Sequence, residues 1–341
     1  MRNIFTYKNF LLGLVVIASV VTGLVLVGTF SQVQGEKFVY LDGDKAYVSS
    51  ISSDPVKVAD NVQRILDSSN GSSRILYLSS VAEKNIGGQV HGSKLIVMDP
   101  ATGNERVIAE NIVEAKFSPD GTRIVAQSGD YKIRLFTAIG KEITRIGMHG
   151  SAPLFSHDGA YIAYHKLADE GEGFRLFEFS PYGIVLYNLA TGEEELITDN
   201  KDDFQPVGFS LDMSRLYFNS GRKYGTSPEG FENHVASLWM VDLTTKEIKR
   251  LTNMSEEVVR QGIMVPTVDG AALWSSDRKM VISSVDPESG TWQFVFNQEG
   301  ELARAERITD GTSPHWLVPD KNIVVRTKVD GKGEWKTVNI K

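Results

Sequence analysis

A five-residue turn recurs along this chain and limits what it can fold into. Its fullest form lies within residues 113–136, VEAKFSPDGTRIVAQSGDYKIRLF. The stretch reads as a strand ending on Phe117, a tight turn Ser118-Pro119-Asp120-Gly121, a second strand to Ser128, a short loop and a third strand. Pro119 presets φ for the turn, Asp120 can bond its own backbone, and Gly121 takes the position with φ > 0. On either side the apolar residues alternate with period two, the signature of strands.

The turn returns at Phe155-Ser156-His157-Asp158-Gly159. Phe209-Ser210-Leu211-Asp212 and Trp274-Ser275-Ser276-Asp277 keep the aromatic, the serine and the Asp without the Gly, and Leu317-Val318-Pro319-Asp320 keeps the Pro and Asp. A second element follows each turn: a strand, a turn and a strand, as in KLIVMDPATGNERVI from Lys94, GIVLYNLATGEEELI from Gly183 and SLWMVDLTTKEIKRL from Ser237. Residues 132–146 and 291–308 are looser copies. Each unit therefore has four strands, a to d, with the Asp turn between a and b and the Thr-Gly turn between c and d. Four-strand units repeating about every 40–50 residues predict a β-propeller. Radial repetition also lets 341 residues fold without one ever-growing core.

FSPDG and LATGEEELIT, with an aromatic before each Asp turn, resemble the TolB-type propeller repeat over roughly residues 61–341. The resemblance implies the fold. It implies little about activity, because propellers of that family serve as envelope scaffolds, as gating domains of peptidases and as a few lyases. No G-x-S-x-G elbow accompanies the repeat, and GTSPEG at 225–230 has the wrong spacing for one.

Counting units gives 62–109, 113–146, 152–198, 206–252, 268–309 and 313–341, so six blades are expected, with seven as the alternative. The last unit stops after its third strand, which would leave an open edge. The economical closure pairs 56–59 with 334–340 as a fourth strand. FVYL and AYVSSI are then surplus, or belong to a seventh, split blade.

The N-terminus carries FLLGLVVIASVVTGLVLVGTF, residues 10–30, without a charge. This is long enough to cross a hydrocarbon core of about 30 Å as a helix. Arg2 and Lys8 precede it, so the positive-inside rule keeps residues 1–9 cytoplasmic and sends the remainder outside. A cleavable signal peptide is the rival. The length of the run and the lack of an A-x-A site favour a retained signal-anchor, and a buried core helix is a distant third. Residues 31–37 form a linker, and 38–341 form the propeller.

Net charge is −7, and no basic stripe appears, which argues against nucleic acid as a partner. There is no cysteine, so disulfides, thiolate metal sites and a cysteine nucleophile are excluded.

The repeated Asp120, Asp158, Asp212, Asp277 and Asp320 read as turn formers, as do Asp99 and Asp242 at the c–d turns. The a–b and c–d turns share one face, the bottom; the b–c and d–a loops share the top. His91, His149, His165, His234 and His315 are predicted near the top, and His157 at the bottom. Oligogalacturonate lyases resemble the chain in their propeller and bind a metal there through histidines and a glutamine. By that resemblance His149, Gln205 and His315 form an alternative metal set, although no H-x-H pair or Q-x-x-H cluster is present.

The b–c insertions say more. Residues 167–183, 221–237 and 81–93 all project from the top, and the first two belong to adjacent blades. They carry Phe174, Phe177, Phe179, Tyr182, Tyr224 and Phe231 among charges. One reading is cladding, or outward extension of strands b and c. The other is a contact patch, with an apolar centre and a charged rim. The sequence reading is a membrane-anchored extracytoplasmic propeller that binds an envelope protein without catalysis and needs no cofactor. The enzymatic alternative is a metal-assisted polysaccharide lyase or hydrolase.

Overall fold

The computed structural model describes residues 37–339 except 43, 51–52, 69–72, 80–83, 87–88, 92, 148, 168–180, 200–202, 211, 222–236, 252–272, 275–278, 285–289, 298–301, 310–311, 319–321 and 330–331. The expected transmembrane segment 10–30 lies outside the described residues. Among the described residues no helix is long and apolar enough to cross a membrane.

The strands form a series of antiparallel meanders, one per repeat. Blade one is β1 (Lys37–Asp42), β2 (Lys45–Ser50) and β3 (Ser53–Ala59). Blade two is β4 (Val62–Ser68) and β5 (Ile75–Ser79), then an inserted ribbon of β6 (Lys84–Ile86) and β7 (Gln89–His91), then β8 (Lys94–Asp99) and β9 (Asn104–Glu110). Blade three is β10 (Ile112–Phe117), β11 (Arg123–Ser128), β12 (Ile133–Thr137) and β13 (Glu142–Gly147). Blade four is β14 (Gly150–Phe155), β15 (Tyr161–Leu167), β16 (Pro181–Asn188) and β17 (Glu194–Leu196). Blade five is β18 (Asp203–Phe209), β19 (Arg215–Ser220), β20 (Ser237–Asp242) and β21 (Ile248–Arg250). Blade six is β22 (Leu273–Trp274), β23 (Lys279–Ser284), β24 (Gly290–Phe296) and β25 (Leu302–Thr309); blade seven is β26 (Thr312–Val318), β27 (Asn322–Val329) and β28 (Lys332–Asn339).

This corrects the expected closure. Residues 56–59 do not join 334–340. Ala59, Lys57 and Val56 pair with Ala46, Tyr47 and Val48 of β2 instead. FVYL and AYVSSI are the first two strands of that same sheet, with Tyr40 stacked on Tyr47 at 5.4 Å. The described residues thus give five four-stranded and two three-stranded blades, in place of six. Innermost strand β1 touches both β4 and β26, so blade one stands between blade two and blade seven.

The core lies between blades, because each blade buries both faces. Along β5, Leu76 and Leu78 pack toward blade three with Ile112, Ala115, Phe117 and Ile124, whereas Ile75 and Tyr77 pack toward blade one with Val39, Ala46 and Ala59. Along β15, Ile162 and Tyr164 join Val125, Ile133 and Leu135 of blade three. Ala163 joins Phe209, Leu216, Phe218 and Val241 of blade five. Successive side chains of a strand point to opposite faces, so a strand buried on both sides reads as a continuous apolar run.

The Asp turns are built alike. Asp120 Oδ1 accepts from Ser118 Oγ at 2.5 Å and from Thr122 N at 3.0 Å. Asp158 accepts from Ser156 Oγ at 2.6 Å and Ala160 N at 2.9 Å, and Asp212 from Ser210 Oγ at 2.6 Å and Ser214 N at 3.0 Å. The serine hydroxyl holds the Asp120 and Asp212 carboxyls down to about 2, with the backbone N–H bonds adding to it. Asp99 and Asp242 do the same work in c–d turns, accepting from Ala101 N and Thr244 N at 2.8 and 2.9 Å. Asp277 and Asp320 lie outside the described residues.

The aromatic before the turn also has a physical use. Arg74 lies 5.8 Å from the Phe117 ring centroid and Arg123 lies 5.7 Å from that of Phe155. Arg74 immediately precedes β5 and Arg123 opens β11, and each stacks on the end of strand a in the next blade, a cation–π contact that ties blade to blade. Arg123 Nη2 also donates to Gly159 O at 2.9 Å.

Candidate functional site: the top of blades four and five

Two hairpin mouths open side by side at the top. In blade four the β15–β16 ladder ends with Leu167 opposite Pro181. In blade five the β19–β20 ladder ends with Ser220 opposite Ser237. The insertions at 168–180 and 222–236 continue from these mouths, so both leave from the same face of adjacent blades. Phe174, Phe177, Phe179, Tyr224 and Phe231 lie outside the described residues. Tyr182 belongs to strand β16 and not to a loop, which shortens the expected insertion at its C-terminal end. The third insertion includes the β6–β7 ribbon, with His91 at its end.

Gly183 fixes the course of β16 at the first mouth. Its φ is +133°, and a Cβ there would lie 1.9 Å from the Thr198 carbonyl oxygen. Ile184 N donates to Thr198 Oγ1 at 3.0 Å, so the end of blade four is clamped on a residue with no side chain.

Below the mouths, strand b carries a polar residue at the same place in three blades. Gln127 faces Glu114, His165 faces Ser151, and Asn219 faces Gln205. All three are buried, and each is bonded differently. Gln127 Oε1 accepts from Ala152 N, in the next blade, at 3.1 Å. Asn219 Nδ2 donates to Gln205 Oε1 at 3.3 Å. His165 Nδ1 shares a hydrogen bond with Ser151 Oγ at 3.1 Å, while its Nε2 is buried without a partner. Burial pushes the imidazole down to about 4, against the pull of the Asp203 carboxylate, so it is neutral. Asp203, the first residue of β18, is 0 % exposed.

Ala152 lies between Gln127 and this group with φ +50°, where only glycine sits without strain. The β14–β15 register shifts between Ser151 and Leu154, at the same point. The chain bends here, which brings Ser151 to His165 on one side and Ala152 N to Gln127 on the other.

Sequence reasoning placed His165 near the top but missed Ser151 and Asp203. Both stand in short polar stretches that carry no motif. The available signal was His165 itself, inside the apolar strand YIAYHKL, because a polar side chain buried in an apolar strand needs partners.

The other expected histidines scatter. His149 stands in the link from blade three to blade four, between β13 and β14, whereas Gln205 is in β18 of blade five and His315 in β26 of blade seven. The side chain of His315 lies outside the described residues, as does His234. The Gln205 carbonyl oxygen is engaged by Asn219. Among the described residues no three His, Asp or Glu side chains are grouped to hold a metal ion. His157 is at the bottom as expected, its Nε2 3.0 Å from Phe209 O of the next blade.

No protein-family model and no curated protein matches the sequence. Solved structures do resemble the fold. The tricorn protease superposes with a TM-score of 0.60 at 15% identity, covering 90% of this chain and 32% of its own. The chain therefore spans about a third of that protein. The β-propeller domain of the Trilobed protease from Pyrococcus furiosus gives 0.57 at 12% identity, covering 89% and 93%. An oligogalacturonate lyase in complex with manganese gives 0.57 at 15%, covering 90% and 86%. TolB proteins are further neighbours. At these identities the likeness is one of architecture, and the chain folds as a β-propeller.

Proposed function

We propose that this chain is a membrane-anchored, extracytoplasmic propeller that captures a protein of the cell envelope on the top of blades four and five, without catalysis. The observation that supports this reading is the pair of hairpin mouths at Leu167/Pro181 and Ser220/Ser237, which send two aromatic-bearing insertions out of one face. Insertions between b and c leave the four-strand blade intact, so they vary at little cost to stability. Six aromatics among Glu170, Glu172, Arg175, Arg222 and Lys223 suit an interface with an apolar centre and a charged rim. The anchor at 10–30 would hold this face near membrane-bound partners.

The test is capture from the source membrane by wild-type protein and by a variant with 168–180 replaced by a short Gly-Ser turn. Gly183 is kept because its backbone is needed by the blade. Loss of a defined partner with an unchanged circular dichroism spectrum supports the reading. A stoichiometric transition metal in the purified protein would instead favour the lyase or hydrolase reading through His149, Gln205 and His315.

A further inference from the structure

We infer that the chain just upstream of β1, residues 25–30, supplies the inner strand a of blade one, so that the membrane segment leaves the ring at its top face. The strand does not rest on the function proposed above; its consequence for which face meets the bilayer does.

β1 runs from bottom to top, opposite to the strands a of the other blades. Val62 N, at the start of β4, donates to Asp44 O in the β1–β2 turn at 2.8 Å. Between blades three and four the same bond runs from Gly150 N to Tyr131 O at 2.7 Å, and Tyr131 lies in a b–c loop. The β1–β2 turn is therefore a b–c turn, at the top. β3 leads into blade two through Ala59-Asp60-Asn61-Val62, as strand d of blade two leads into blade three through Ala109-Glu110-Asn111-Ile112. The two asparagines share a left-handed backbone, with φ of 57° and 58°. Two link residues reach about 11 Å, and a six-residue strand is about 20 Å tall. Such a link cannot climb from the bottom of one blade to the top of the next, so β3 is a strand d.

Packing agrees. Val39 of β1 shares a core with Ile75 and Tyr77 of β5, as Val125 of β11 does with Ile162 and Tyr164 of β15, strand b to strand b. Lys37 opens β1 as Arg123 and Arg215 open β11 and β19. Among the described residues blade one thus reads b, c, d, whereas blade seven reads a, b, c. Position a of blade one falls upstream of Lys37, between β4 and β26, the inner strands that β1 touches.

The upstream sequence fits that place. Strands a of blades three and four have six residues and close on Phe117-Ser118 and Phe155-Ser156, and that of blade five closes on Phe209-Ser210. Phe30-Ser31 repeats the pair seven residues before Lys37, where Phe117 and Phe209 lie six before Arg123 and Arg215. The Asp of the sister turns has no counterpart here, so this turn is of another build. Six residues ending on Phe30 are VLVGTF, 25–30, rich in the residue types that strands favour. The strand takes them from the apolar run. A span over 5–24 still has 20 residues, with Lys8 one turn from its cytoplasmic end, where the amine can snorkel. Strand a begins at the top, the face from which the b–c insertions leave. Without it, the membrane segment would join Lys37 from the bottom.

The chain has no cysteine, so paired cysteines in the full-length protein report the pairing directly. With Phe30 and Phe38 aligned on the pair Phe117 and Ile124, Gly28 and Tyr40 take the places of Ala115 and Ala126, which stand opposite each other. Opposed residues of an antiparallel pair have Cα atoms about 5 Å apart, within disulfide reach. In detergent micelles Gly28→Cys with Tyr40→Cys should close in most molecules under mild oxidation, and Gly28→Cys with Lys57→Cys, on the outer strand, should not. Orientation is read from single fluorescent labels in blade two, at Glu110→Cys on the top and Thr102→Cys on the bottom, both exposed positions. In vesicles carrying a lipid-borne quencher, quenching at 110 should exceed that at 102 severalfold. The proposal is overturned if the 28/40 pair of a folded protein forms no more disulfide than the 28/57 pair, or if 102 is quenched as much as 110 or more. A mature chain that has lost 1–23 yet forms the 28/40 disulfide would end the anchor and leave the strand standing.

Discussion

The two faces of the ring follow opposite rules. At the bottom, blade after blade builds the same turn: a serine hydroxyl on an aspartate, and that aspartate on a backbone N–H two residues later. The serine hydroxyl and the carboxylate find their partners inside the turn. At the top, equivalent positions hold Gln127, His165 and Asn219, each with a different partner, and one ring nitrogen has none. The repeated residues make the scaffold. The residues that break the repeat mark where this propeller differs from a bare scaffold.

The sharpest break in that contrast is a single methyl group at the top. Gly183→Ala puts a Cβ 1.9 Å from a backbone oxygen, with φ at +133°. The variant should lose about 3 kcal/mol of stability in chemical denaturation, since neither neighbour can yield. At the bottom, Asp158→Ala removes the acceptor for Ser156 Oγ and Ala160 N and should cost about 2 kcal/mol by the same measurement.

Acid should separate the faces. The unfolded histidine titrates near 6.5 and burial holds folded His165 at about 4, so the stability tied to the neutral imidazole is full above about pH 6.5 and is lost as pH falls toward 4. Asp120 and Asp212 have folded values of about 2, so the stability of their turns persists until pH falls below about 4 and is lost toward 2. Thermal melting against pH should therefore fall in two stages, and His165→Asn should remove the first. A single fall below pH 4 in wild type would contradict the contrast.

The smallest effect is a gain. Met213 and Lys246 adopt φ +61°, where the sister turns have Gly121, Gly159, Gly103 and Gly192 at φ between +67° and +76°. Met213→Gly and Lys246→Gly should each stabilise the protein by about 1 kcal/mol, read as a rise in melting temperature. No gain would mean that these side chains repay their backbone strain elsewhere.

These turns also show what could be read in advance. The Asp turn was legible because its chemistry is local: three or four adjacent residues satisfy one another, and the pattern recurs. Blade one was not, because β1 and β2 join through a tight hairpin with Asp42 opposite Lys45, without the aromatic–Ser–x–Asp run. The five copies of that motif, with the c–d element from Lys94 marking the unit at 62–109, therefore yield six blades. The pair of Ser151 and His165 was hidden for a related reason. They come from two strands of blade four, and nothing in the spacing of residues 151 and 165 joins them until strands a and b pair. Leu167 and Pro181 likewise locate the first mouth through ladder pairing, which moved Tyr182 from loop to strand.

The central claim, that the top of blades four and five is the working face, is tested most directly by quantitative capture. Wild-type protein, a variant with 168–180 replaced and a variant with a bottom turn replaced would be compared against the same source membrane. Replacing 168–180 should abolish a defined partner while melting temperature and circular dichroism stay as in wild type, and the bottom-turn variant should lose stability yet keep the partner when folded. Undiminished capture by a fully folded 168–180 variant would contradict the account and move the working face elsewhere on the ring.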